Sequence, residues 1–254
     1  MSKNYNCFML RWKEERLGCG LTQKQLCRCT EMVQSSASKA ETGRRRLAYP
    51  EIKKACASGM DIFYIFTGIK STYGKSSLNL MEATPEELLG HLSAVYVYAN
   101  AVKMSNLQQD SHKAFPETLT GDFSEPSCHK AISGNSFQQI REQLEYLRYM
   151  PAGIRANQNV FYCVRKYHGY TQEKMAGLLG MDIKTLRALE KGKRFPDSET
   201  LWKMYCLFHV SPAFLLMDAK GLRSELNYVL SLLTERQRDA MLRILENGHD
   251  LIHM

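Results

Sequence analysis

No stretch of the 254-residue chain approaches the ~20 consecutive apolar residues that a membrane-crossing helix requires. The first residues, MSKNYNCFML, lack the apolar core of a secretory leader, so a cytoplasmic, reducing setting with free thiols is expected. Eight cysteines are present, but no Cys-x-x-Cys pair occurs among them. The cluster Cys19, Cys27, Cys29 therefore reads as buried or surface thiols rather than a zinc site. A nucleophile elbow, a metal-ligand spacing and a phosphate-binding glycine loop are all missing, and no histidine pairing suggests a catalytic base. These absences argue against an enzyme, a bound metal and a cofactor, and no small-molecule ligand is expected. Acidic excess is missing too: the net charge is +8. Residues 1–70 hold 13 basic against 6 acidic side chains, and 151–217 hold 10 against 5. By contrast, 71–150 hold 6 against 9 and 218–254 hold 5 against 6. Two segments carry all of the net positive excess, which points to two anion-facing surfaces.

What is present is a pattern written twice. LTQKQLCRCTEMVQSSASKAETG at 21–43 and YTQEKMAGLLGMDIKTLRALEKG at 170–192 share Thr-Gln at 22–23 and 171–172, and Glu-x-Gly at 41–43 and 190–192. Both pairs lie 149 positions apart. Each copy reads as two helices joined by a tight turn, with basic residues directly after. Thr22 with Gln25 three residues on forms a capping box, and Asp182 can cap the second helix of the other copy. Thr84 and Thr234 open further helices with the same device, 150 positions apart, so the copied unit is expected to include a trailing helix.

Punctuation and periodicity divide the chain into a first unit at 5–70, a trailing helix at 84–104 and a flexible linker at 105–136. A lead-in helix with the second unit follows at 137–217, then C-terminal helices at 218–254. Each unit is expected to hold five short helices around one small core. The VYVY segment at 95–98 could pass for strand, but its length and cap favour helix, with Tyr96 and Tyr98 as packing residues. The apolar faces of 84–103 and 219–247 either pack on their own units or form a homodimer surface.

The second copy resembles the helix-turn-helix of Cro and phage-repressor-type regulators, the XRE family, on Thr171, Gln172, Met175, Ala176, Leu179, Gly180, Leu186, Leu189, Glu190 and Gly192. The first copy resembles it with departures: Glu31 stands for the turn glycine, Thr30 and Cys27 for apolar and small residues, Ala37 and Ala40 for larger ones. A non-glycine residue in a left-handed turn costs on the order of 1 kcal/mol, so the first unit is expected to be less stable or to pack differently. The resemblance implies an all-α fold of two lambda-repressor-like units, double-stranded DNA as partner, and a transcription regulator, a repressor, of phage or mobile-element type associated with the bacterial nucleoid.

The implied contacts follow from how such a motif docks, third helix in the major groove and second helix across the backbone. In the first unit they are Thr22, Gln23, Gln34, Ser35, Ser36, Ser38, Lys39, Arg44, Arg45 and Arg46. In the second they are Thr171, Gln172, Ile183, Lys184, Thr185, Arg187, Lys191, Lys193 and Arg194. Gln34 suits adenine; Arg187 or Lys184 suits guanine; Ile183 suits a thymine methyl. Thr22 and Thr171 cap helices whether or not DNA is bound, and Glu41 and Glu190 read as scaffold. An antitoxin-like co-regulator, with only the second module on DNA and the first docked to a protein, is the competing expectation. The self-cleaving protease domain of some repressors does not fit the 37 residues that follow Met217.

Overall fold

The computed structural model describes residues 3–70, 83–109, 144, 146 and 160–252, and among them it has thirteen helices and no strand, as the caps and periodicity predicted. The first unit is α1 (Lys3–Gly18), α2 (Gln23–Thr30), α3 (Gln34–Glu41), α4 (Tyr49–Ala57) and α5 (Ile62–Thr67), followed by α6 (Pro85–Gln109). The second is α7 (Val160–Tyr167), α8 (Gln172–Leu179), α9 (Ile183–Glu190), α10 (Ser198–Phe208) and α11 (Pro212–Leu216), followed by α12 (Ala219–Ser231) and α13 (Glu235–Ile252). α6 continues through 105–109, where a linker was expected. The rest of that linker, 110–136, and most of the lead-in helix at 137–149 lie outside the described residues; Leu144 and Tyr146 are helical.

Local chemistry sets the helix starts. The Thr22 hydroxyl accepts from the Gln25 N–H at 3.2 Å while the Gln25 side chain accepts from the Thr22 N–H at 2.8 Å. Thr84 and Glu87 repeat the box at α6, and the Thr234 N–H donates to Gln237 at α13. The two turns match in backbone although not in residue: Glu31 has φ 59° and Gly180 φ 66°. Lys54 on α4 pairs with the Glu31 carboxylate at 2.5 Å, and Lys203, 149 positions later, donates to the Leu179 carbonyl at 2.9 Å. Helix α4 with the junction after it, 49–61, is one residue shorter than α10 with its own junction, 198–211, which moves the offset from 149 to 150.

The small residues of α3 change the first core as expected. Ala37 and Ala40 are buried where the second unit buries Leu186 and Leu189. The space is filled from elsewhere: Tyr5, Phe8 and Trp12 of α1 join Leu201, Trp202 and Leu216 of the other unit in one apolar cluster. Thr30, also buried, satisfies its hydroxyl on the Leu26 carbonyl at 2.7 Å. A third-helix deficit is thus met by large aromatics and by sharing a core across units.

The trailing helices pack chiefly on each other, and α12 packs also on α11 of its own unit and on α5 of the first. Leu88, Leu92, Val95 and Tyr96 of α6 pack along Leu222, Leu226 and Val229 of α12, with Met241 and Leu245 of α13. The two faces read as homodimer surfaces cover each other within one chain. Glu225 of α12 is fully buried there and accepts hydrogen bonds from the Tyr96 and Ser211 hydroxyls. Burial pushes its carboxyl up to about 7.

Candidate nucleic-acid interface

In the second unit a polar brace runs from the core to the surface. Arg165 of α7, itself buried, donates to both carboxylate oxygens of Glu190 at 2.5 and 3.1 Å and to the Tyr170 carbonyl at 3.3 Å. The Gln172 amide nitrogen donates to Glu190 Oε2 at 2.8 Å. Its amide oxygen then accepts from Arg187 Nε at 2.8 Å. Each link fixes the next, and the last one, Arg187, is exposed. Preorganisation of this kind lowers the entropy cost of a bidentate contact.

The first unit has the same brace up to the last link. Arg16 donates to Glu41 at 2.6 and 3.3 Å and to the Leu21 carbonyl at 2.5 Å, and Gln23 donates to Glu41 Oε2 at 2.7 Å. The position matching Arg187 is Ser38. Glu41 and Glu190 are scaffold, as their positions suggested. Gln23 and Gln172 each commit one amide N–H to a buried carboxylate, which leaves the second N–H of each as a side-chain donor. Sequence reasoning missed Arg16 and Arg165. The signal was present, because they too stand 149 apart.

Around the brace, Ser35, Ser38 and Lys39 on α3 and Lys184 and Arg187 on α9 are exposed, as is Gln34; Ser36, Ile183 and Thr185 are half-buried. Thr171 caps α8 through the Lys174 N–H at 3.2 Å. Asp182 caps α9, accepting from the Thr185 N–H and hydroxyl, both at 2.7 Å. The Thr185 hydroxyl, helped by the backbone N–H, holds the Asp182 carboxyl below the usual carboxylate range. Arg194 reaches Thr185 at 3.2 Å. Lys191, Lys193 and Arg194 are exposed beyond α9. The start of α8 carries Glu173, where α2 carries Lys24. A phosphate at a helix N-terminus is thus better received by α2 than by α8.

The basic run after α3 is not the free phosphate clamp the sequence suggested. Arg45 makes a two-pronged pair with Glu51, at 2.7 and 3.0 Å. Arg46 pairs with Asp197 at 3.2 Å and with Glu199 at 2.5 Å across the junction of the units. Arg44 is exposed. The larger positive count of the first unit is therefore partly spent on internal carboxylates, which the linear sum does not reveal.

A family described as a helix-turn-helix domain matches residues 159–222, and this segment is an XRE-type helix-turn-helix domain. The match covers α7–α11 and the start of α12, including the whole second brace. No curated protein and no solved structure matches the chain. Among the described residues no helix is long and apolar enough to cross a membrane.

Proposed function

We propose that the chain is a sequence-specific double-stranded-DNA-binding transcription regulator that reads duplex with both units. The observation that carries this is the brace. In the domain matched to the helix-turn-helix family it ends on the exposed Arg187, and the first unit repeats its Arg–Glu–Gln core on Arg16, Glu41 and Gln23. An exposed third helix accompanies each brace, which is the surface a helix-turn-helix presents to the major groove. Because α6 and the C-terminal helices cover one another, the chain serves as its own pair and needs no second copy to bring two readers together. The regulatory sense follows the family resemblance: a repressor acting by occupancy.

Selection of bound fragments from random duplex, followed by footprinting, tests the reading. Two readers protect about two turns of helix and select two separate blocks of bases. Protection of about one turn, with one block, would instead favour the first unit as a docking module for a protein partner. The absence of any selected sequence would remove the proposal.

A further inference from the structure

An element that meets its own counterpart in a second copy lies on or beside a twofold axis, whereas head-to-tail copies bring different elements together. Two such self-meetings occur in this chain. α5 packs on α11, its counterpart at offset 150. α6 packs on α13, which starts at the same offset.

The junction loops behave alike. The Leu47 N–H donates to the Ser198 hydroxyl at 2.8 Å, and the Ser198 N–H donates to the Leu47 carbonyl at 2.9 Å. The counterparts of Leu47 and Ser198 are Pro196 and Tyr49, and Tyr49 stacks on Phe195, next to Pro196, with ring centroids 5.0 Å apart. The Tyr49–Phe195 stack in turn maps onto Ser198 and Arg46, and Arg46 grips Asp197 and Glu199 on either side of Ser198.

α12 sits astride the two equivalent caps. Ser224 donates to Asp61, the cap of α5, at 2.6 Å, and its neighbour Glu225 takes the hydroxyl of Ser211, the cap of α11. Symmetry is broken at α12, which packs along α6 far more than along α13, and at α10, whose Trp202 packs on Phe8 and lies under Arg11, where the counterpart on α4 is the exposed Lys53.

From this pattern of contacts we infer that the two units form a rigid, intramolecular pseudo-twofold pair whose ligand is duplex DNA with two unequal half-sites in inverted orientation at one fixed spacing. The inference rests on both units reading DNA. Inversion follows from the axis, because two readers related by a twofold perpendicular to the duplex meet its strands in opposite directions. Fixed spacing follows from the shared cores, which leave the junction no freedom to follow a longer spacer. The unequal halves follow from the readers: α9 brings Lys184 and Arg187, suited to guanine, while α3 brings Gln34, suited to adenine, and serines.

The test takes the two base blocks of a selected site and rebuilds them in inverted and direct orientation, with the spacer lengthened stepwise to five base pairs. Each added pair turns one half about 34° around the helix, so five place the halves on opposite faces. The full chain should bind the inverted, native-spaced duplex at least tenfold more tightly than the direct arrangement or the five-pair insertion. Affinities within threefold across orientation and spacing would overturn the rigid pair while leaving two readers in place. Equal affinity for the full site and for the α9 block alone would overturn the two-reader proposal itself, and the inference with it.

Discussion

α9 and α3 occupy the same place in two similarly built units, and they differ most at one position. Arg187 extends the brace of the second unit to the surface, while the brace of the first, with Ser38 at the matching position, stops at Gln23. Around that position the second unit has Glu173 and Asp182 near its helix starts, and the first has Lys24 and Val33. The comparison teaches that the two units share a buried scaffold and differ on the exposed face of the third helix. The Arg–Glu pair is common to both units because removing either member strands a buried charge, and Gln23 and Gln172 add a donor to it; the exposed face is free to diverge.

The largest expected effect tests the common part. Glu190→Ala and Glu41→Ala each leave a buried arginine without its carboxylate, at a cost of about 4 kcal/mol. Chemical denaturation should show similar losses for both; a loss in only one would break the equivalence of the scaffolds.

The next concerns the helices that join the units. Glu225 binds its proton more tightly in the folded chain than in the unfolded one, since burial lifts its carboxyl from 4.5 to about 7. The folded state therefore holds more protons, and its contribution to stability is full below about pH 4.5 and is lost as pH rises through 7. Glu225→Gln should remove that slope, raising stability at pH 8 relative to the parent by up to about 3 kcal/mol. An unchanged slope in denaturation curves across this range would discard the assignment.

A smaller effect separates the readers. Arg187→Ala should weaken binding to the selected site by about 2 kcal/mol and leave random duplex nearly unaffected, whereas Ser38→Ala should change either by far less. Titrations on both duplexes check this, and equal losses on both for Arg187→Ala would make it a phosphate contact rather than a base reader. Smallest are the turns, which should respond with opposite signs. Gly180→Ala forces a side chain to φ 66° with its Cβ 3.0 Å from Lys203 Nζ, costing about 1 kcal/mol. Glu31→Gly relieves the same backbone and gains slightly less than about 1 kcal/mol, because the exposed Lys54 pair is lost. Thermal melts that move in the same direction for both would contradict the shared turn geometry.

The sequence made the local features readable. Thr22 and Gln25, or Asp182 and Thr185, are three residues apart, and such caps announce themselves in any linear reading. The left-handed turn at Glu31 followed from its register against Gly180. Long-range partnerships were hidden. Arg16 and Glu41 are 25 residues apart and Arg46 and Asp197 are 151 apart; the 149-residue repeat marks Arg16 and Arg165 as equivalent but does not name their partners. Arg44–Arg46 looked like one charged run, although two of its members are held by carboxylates from other elements. α6 displayed an apolar face whose owner, α12, lies in the other half of the chain. A face states that it must be covered; only the fold shows by what.

A photo-crosslinking residue placed at Ser35, and in a second variant at the equivalent Lys184, addresses most directly the claim that both third helices face duplex. On a selected site, the account predicts crosslinks from both positions, at two places on the duplex about one helical turn apart. Crosslinking from 184 alone, with 35 silent on every selected duplex, would contradict it.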